Sequence, residues 1–398
     1  VIKERACKYR FYPTDEQKQE LAQEFGCARF VYNWGLQSKT EAWQQRQENL
    51  TYVDLANMLP DLKKEKSFLA EVSSVVLQQS LRNLSVAFTN FFENRAQYPS
   101  FKNKDSRQSI RYAKNAFTFE HGVLTLAKQQ EPLEIVWSRA LPVDFEPVNV
   151  TVSKDKSDRY FVSILVKTDI KPLKKVTAEV GIDVGIKTLA TLSNDEKLEN
   201  PRTLMRKGRR LKIRQRRLSR KVKGSNRRKK AKLVVAKQHA KIADTRRDYI
   251  HQFTTKTIRE NQAVFVEGLN VKGMMSNGKL AKHIGDASWG LMFEQLEDKA
   301  AWYGRRYLEI DQFFPSSKLC HACGHLLNDL PLSMRAWDCP GCKTHHDRDG
   351  NAAKNILAAG RYLLKMKTTE SDARKVTPKR DERRRSAWES PTKTRPRG

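Results

Sequence analysis

Phe314-Pro315-Ser316-Ser317-Lys318-Leu319-Cys320-His321-Ala322-Cys323-Gly324 begins the stretch that decides the fold; Cys339-Pro340-Gly341-Cys342, then His346-Asp347-Arg348-Asp349-Gly350-Asn351-Ala352-Ala353, completes it. Fifteen residues separate the two Cys-x-x-Cys pairs. Each pair presents two thiolates on one side of a tight turn, and the intervening hairpin brings the pairs together. The pattern predicts a zinc ribbon with Cys320, Cys323, Cys339 and Cys342 as ligands. Four unrelated buried thiols would need neither Gly324 after the first pair nor Pro340-Gly341 within the second. Because four thiolates close the coordination sphere, this Zn²⁺ is expected to be structural, and any chemistry must sit elsewhere. Directly afterwards Asp349 opens an apolar-periodic helix through Ala352, Ala353, Ile356, Leu357, Tyr362 and Leu363. Taken alone, Asp349 reads as a helix cap.

Outward from this stretch, charge dominates. The 398-residue chain carries 76 Lys and Arg against 45 Asp and Glu, a formal +31. That balance is excessive for an enzyme of small molecules and expected where the partner is a polyanion, nucleic acid first. A membrane partner is not expected, because there is neither a run of about 18 apolar residues nor a signal-peptide pattern. Cys7 and Cys27 are isolated, which argues against a disulfide framework and for a reducing, intracellular compartment. The length suggests two or three domains.

Near the start, Ile2 to Tyr12 read as a strand ended by Pro13, with Cys7, Tyr9 and Phe11 on one face. Thr14 and Gln17 form a capping-box pattern, and helical periodicity continues to about Ala96 with loops near Asn49 and Pro60. From Tyr98 to Thr168 short alternating segments, among them Val148 to Val152 and Tyr160 to Val166, predict a small β-barrel into which the helical block is inserted. After Lys171-Pro172-Leu173-Lys174-Lys175, a third region opens with Val180 to Leu192, two apolar half-strands around Asp183 that imply a hairpin. Residues 202–241 contain no acid, and nearly every second residue is Lys or Arg, with a break at Lys223-Gly224-Ser225-Asn226. A single-sign run this long repels itself without a polyanion, so Arg209, Arg210, Arg216 and Arg217 are candidate nucleic-acid contacts. Ala263 to Leu269 reads as a buried strand ending on Glu267, Trp289 to Tyr303 as an amphipathic helix, and Tyr307 to Phe313 as a further strand. The tail from about Met366 is polar and basic and is expected to be disordered.

An Asp inside an apolar strand costs on the order of several kcal/mol if buried without a partner, so Asp183 asks for a hydrogen-bond donor or a cation. With strand-end Glu267 and helix-start Asp349 it makes three carboxylates on separate elements. Two-metal phosphoryl chemistry needs such a set: hard oxygen ligands for Mg²⁺ drawn from different parts of one domain.

The order Gly181-Ile182-Asp183-Val184-Gly185-Ile186-Lys187, then Val266-Glu267-Gly268-Leu269, then the two cysteine pairs and His346-Asp347-Arg348-Asp349-x-Asn351-Ala352-Ala353-x-Asn355-Ile356, resembles the TnpB family, transposon-encoded relatives of type V CRISPR effectors. Tyr9 to Thr14, Ala28 to Asn33 and Leu77 to Leu81 are similar to that family as well, so the resemblance spans nearly the whole chain. It implies a mixed α/β and β multidomain protein. A small β-barrel wedge domain (1–13 and 98–170) would carry an inserted helical recognition domain (14–97). A RuvC nuclease domain of ribonuclease H-like fold (171–365) would hold the zinc ribbon (314–346), and a basic tail would follow (366–398).

The implied activity is RNA-guided, Mg²⁺-dependent cleavage of double-stranded target DNA beside a short target-adjacent motif. The guide RNA would come from the transposon end, and the protein would act as a monomer in a prokaryotic cytoplasm, near the nucleoid. The family's catalytic, Mg²⁺-binding acids fall on Asp183, Glu267 and Asp349. Asp347 is the rival for the third, and the spacing before Asn-Ala-Ala favours Asp349. Lys343 departs from the pattern, which has glycine there. Tyr52 and Gln78 lie in stretches that in the family read the target-adjacent motif. The competing functions are a nuclease-inactive RNA-guided repressor, disfavoured by the presence of all three acids, and a transposase or junction-resolving nuclease. A resolvase would need neither the N-terminal block nor the ribbon.

Overall fold

The computed structural model describes residues 2–142, 145–169, 171–331 and 333–371. The chain divides into two compact units: the chain up to residue 171 together with 209–241, and 172–208 together with the chain from 242 onward.

The first unit runs β1 (Ile2–Phe11), α1 (Asp15–Arg46), α2 (Tyr52–Glu65), α3 (Ser74–Phe92), β2 (Gln108–Ala113), β3 (Phe117–Glu120), β4 (Val123–Leu126), β5 (Ile135–Val136), β6 (Phe145–Lys154) and β7 (Tyr160–Asp169). Five strands form an antiparallel sheet in the order β2-β6-β7-β1-β5. The alternation in β1 does what it should: Cys7, Tyr9 and Phe11 are buried, with Val150, Val152, Val162 and Ile164 in the same core. The sheet's ladder ends at β2 and β5, and the β3–β4 hairpin, a separate two-stranded sheet, adds Leu124 and Leu126 to that core.

Helices α1 to α3 leave after β1 and return at β2, so the helical block is inserted into the sheet's connectivity. Thr14 and Gln17 exchange reciprocal bonds at the start of α1. The helices have their own core, including Val31, Leu36, Leu55, Leu59, Leu77 and Leu81. One expectation fails here. Pro60 lies inside α2, not in a loop. A proline there removes one backbone bond, but the Thr51–Asp54 capping box fixes the start of the helix, and Leu55, Leu59 and Leu62 bury one face.

The second unit contains β8 (Glu179–Val184), β9 (Thr188–Leu192), β10 (Lys197–Glu199), β11 (Ala263–Glu267), α6 (Val271–Met274), α7 (Ala281–Ala287), α8 (Trp289–Tyr303), β12 (Arg306–Ile310), β13 (Ala336–Asp338), β14 (His345–Asp347) and α9 (Arg348–Ser371). Its sheet has the order β10-β9-β8-β11-β12, with β8 to β10 antiparallel and β11 parallel to both β8 and β12. Val264, Phe265 and Val266 are wholly buried, as a strand covered on both faces must be. Strand β12 is shorter than its sequence suggests, because Asp311 turns the chain by accepting from the backbone N–H groups of Phe313 and Phe314.

Helix α9 lies against β8 at a contact that only glycine allows. A Cβ on Gly181 would fall 2.2 Å from the Ala353 carbonyl oxygen and 2.5 Å from the Leu357 nitrogen, and one on Gly360 would fall 2.2 Å from the Phe265 ring.

The basic stretch forms α4 (Thr203–Ser219) and α5 (Asn226–Glu260), broken where Gly224 sits at φ +85°. Arg228 closes the end of α4 by donating to the carbonyls of Leu218 and Lys221. Among the described residues, no helix is long and apolar enough to cross a membrane. The expected tail lies outside the described residues from 372, and α9 runs to Ser371.

Candidate functional site

Strands β8 and β11 run parallel with Val266 opposite Ile182, so the next step of the ladder sets Glu267 beside Asp183 at the ends of both strands. The first turn of α9 brings Asp349. The Asp183 carboxyl is held well above the usual range, first by the protein packed around it, then by the charges of Asp349 and Glu267. Arg348 pulls the other way. Burial raises Glu267 as well. Among the described residues neither Asp183 nor Glu267 is ion-paired, while Asp349 Oδ1 lies 3.7 Å from Arg335 Nη1. Burying Asp183 and Glu267 without an ion pair is costly, and a cation would offset that cost. As the side chains stand, however, only the four cysteines come close enough together among the described residues to form a metal-holding group.

Asp347 is differently employed. Its Oδ1 accepts from the Gly350 N–H at 2.9 Å, capping α9, and its Oδ2 pairs with Lys197 at 3.2 Å. Burial works to raise its pKa, but the Gly350 and Lys197 bonds hold it below the ordinary value. The cap of α9 is thus Asp347, and Asp349 is one residue inside the helix, free of that duty.

The four cysteines form a group whose sulfur atoms all lie within 4.8 Å of one another and that could hold a metal ion. Cys320 and Cys342 are 3.7 Å apart, and Cys323 and Cys339 3.6 Å. Thiolates bonded at about 2.3 Å around a tetrahedral ion would sit about 3.8 Å apart, so the set fits. The two turns are built alike: Gly324 N–H donates to the Cys320 carbonyl and Lys343 N–H to that of Cys339. Both end in the left-handed region, at φ +76° for Gly324 and +61° for Lys343. Lys343 therefore stands where a side chain is disfavoured, which gives the departure noted in the sequence its physical meaning.

Among the nucleic-acid candidates, Arg209, Arg210, Arg216 and Arg217 are exposed along α4. Arg214, by contrast, is tied to Gln238. Gln78 is exposed on α3; one turn later Arg82 stacks 4.7 Å over the ring of Tyr52, so Gln78 and Tyr52 border one face. Sequence reasoning passed over Arg335 and Arg348. Arg335 comes from the loop between the cysteine pairs, where no periodicity singles out a residue.

A family profile described as a probable transposase matches residues 150–278, one described as Cas12f1-like, TNB domain, matches 289–356, and a helix-turn-helix profile matches 3–48. The last of these covers one strand and a single 32-residue helix here. A Streptomyces pristinaespiralis protein named "Putative RNA-guided DNA endonuclease" is 52% identical over 89% of each chain. A protein of Escherichia coli K12 with the same name and the designation InsQ is 31% identical over 90% of this chain and 93% of its own. In fold, the chain is similar to Cas12f1 from a cryo-electron microscopy structure of its complex with single guide RNA and target DNA. The TM-score is 0.56 at 13% identity, covering 89% of this chain and 99% of that one.

Proposed function

This chain belongs to the TnpB family, and from that premise we propose that it is an RNA-guided, Mg²⁺-dependent DNA endonuclease acting beside a short target-adjacent motif. The observation that carries the reading is the raised Asp183 carboxyl beside Glu267 and Asp349, at the ends of two parallel strands and the start of α9. Divalent ions held there would activate water and stabilise charge on the leaving oxygen.

The chain's own groups supply the rest. Three elements fix three carboxylates, while Arg335 and Arg348 lie close enough to offset charge on a bound phosphate. Guide pairing reads sequence, while basic side chains on α4 and α5 hold backbone phosphates. Tyr52 and Gln78 would contact the target-adjacent duplex, the first unit's sheet would serve as the wedge, and helices α1 to α3 as the recognition domain. The cysteine site, read as Zn²⁺, is structural: it leaves no open position for water.

The decisive experiment is cleavage by purified Asp183→Ala protein carrying guide RNA. We expect no cleavage and target binding at least as tight as the parent's, since removing one carboxylate also removes repulsion of phosphate. Cleavage at the parental rate would refute the assignment. A parent that binds target with guide but never cuts it would be the repressor.

A further inference from the structure

Asn351 follows Asp349 by two residues and is 2% exposed. Its Nδ2 donates to the Leu319 carbonyl at 2.8 Å, with longer contacts to the carbonyls of Ser317 (3.3 Å) and Ser316 (3.4 Å), while its Oδ1 accepts from the His321 backbone N–H at 3.0 Å. Leu319 and His321 are the chain neighbours of Cys320, so one carboxamide brackets a metal-site cysteine. One turn later Asn355, 3% exposed, donates to the carbonyls of Ser316 (2.8 Å) and Leu319 (2.5 Å). From the other side, His346 Nε2 lies 3.0 Å from Cys320 Sγ, and its strand runs straight into α9. The opposite flank of the helix is pressed on β8 at Gly181.

We propose that Asn351 is a positioning residue that makes the placement of Asp349 depend on the cysteine metal site. A carboxamide supplies an NH2 donor group and a carbonyl acceptor in one fixed plane, matching the two peptide groups around Cys320. A carboxylate would lack the donor, and a hydroxyl the reach. Metal held by the cysteines fixes Cys320, Cys320's neighbours fix Asn351, and Asn351 fixes the first turn of α9. A carboxylate ligand tolerates about 0.5 Å of misplacement, so the outer residue should matter to divalent-ion affinity, not only to folding. The inference rests on the reading of Asp349 as part of the divalent-ion site.

The test uses full-length protein with its guide RNA, Mn²⁺ alone as the probe, and three readouts: zinc per chain, Mn²⁺ affinity by calorimetry, and thermal stability. Asn351→Ala should keep its zinc and weaken Mn²⁺ binding about tenfold or more, the usual scale for outer-shell partners. Asn355→Ala, which loses comparable bonds farther from Asp349, should lower stability while moving Mn²⁺ affinity much less. If Asn351→Ala does not fold, Asn351→Leu keeps the side-chain volume and should show the same Mn²⁺ loss. Mn²⁺ affinity within twofold of the parent in either foldable Asn351 variant overturns the proposal. So does equal Mn²⁺ loss in the Asn351 and Asn355 variants, or failure of both Asn351 variants to fold, since each makes the residue merely structural. Asp349→Ala separates the two levels: if it leaves Mn²⁺ binding intact, the reading of Asp349 has failed, and not the coupling.

Discussion

Asp183 sits with protein packed around its carboxylate and two like charges facing it, which holds its pKa well above the ordinary carboxylate value. Such a group binds its proton more tightly in the folded chain than in the unfolded one. Its contribution to stability is therefore fully present below the unfolded pKa, about 4, and is lost as pH rises through the raised folded value. Glu267 has the same sign. Asp183→Asn should accordingly stabilise the protein at pH 7.5 in EDTA. About 1 kcal/mol, or roughly 2–4 °C in Tm for a unit of this size, is the expected scale. The gain should shrink as pH falls toward 4 and when Mg²⁺ is restored; thermal melts of both proteins across that range check it, and a gain that grows on acidification would contradict it. Asp183 stands out in the sequence because an Asp within Val180 to Leu192 breaks an apolar pattern and requires a reason. Between Asp347 and Asp349 the spacing before Asn-Ala-Ala favours the second, and the bond by which Asp347 caps α9, a matter of backbone geometry, is consistent with that preference.

Helix α9 carries Asp349, and its approach to β8 is set by the absence of a side chain at Gly181. Gly181→Ala would drive a methyl group into the Ala353 carbonyl and the Leu357 nitrogen, backbone atoms that cannot swing aside. The helix must shift as a body, at about 1–3 kcal/mol for such overpacking, and its first turn must move with it. We expect Gly181→Ala to melt lower by several degrees and to lose most cleavage while retaining guide RNA; melting temperature and cleavage rate measured on one preparation decide it, and a parental rate would show that Asp349 tolerates the shift. Elements were the most legible level of this chain. Strand alternation in β1 and the capping box of α1 follow from local chemistry alone, and both appear as read. Pro60 was misread because the burial of Leu55, Leu59 and Leu62 is a tertiary fact that outweighs a local breaker. Gly181 gave no signal beyond its motif, because close approach involves a partner more than 170 residues away in the chain.

At the scale of the whole molecule, a formal +31 is the property that sequence reports most directly, and its placement is what structure adds. The pattern alone puts the basic run between the Asp183 hairpin and the Glu267 strand, as an insertion in one domain. In the fold, residues 209–241 of that run group with the first unit, where Lys232 pairs with Asp105 at 2.6 Å. Some of its cations are structural, such as Arg214 on Gln238 and Arg228 on the end of α4. Arg209, Arg210, Arg216 and Arg217 are exposed, and none has a carboxylate partner among the described residues, so their mutual repulsion is offset only by solvent and salt. Counterions condensed on a nucleic acid are released when such side chains take their place, and each phosphate contact adds about 0.7–0.9 to the slope of log K against log salt. Changing all four to Gln should therefore weaken guide RNA binding for every sequence alike and flatten the slope by up to about 3–4 units. Melting temperature should hardly change, because these four side chains are exposed and make no hydrogen bond or ion pair within the fold among the described residues. Titrations of parent and variant across a salt series measure the slope directly. An unchanged slope with unchanged affinity would make this face of α4 an ordinary solvated surface, and a slope change confined to one RNA sequence would mean that these arginines read bases.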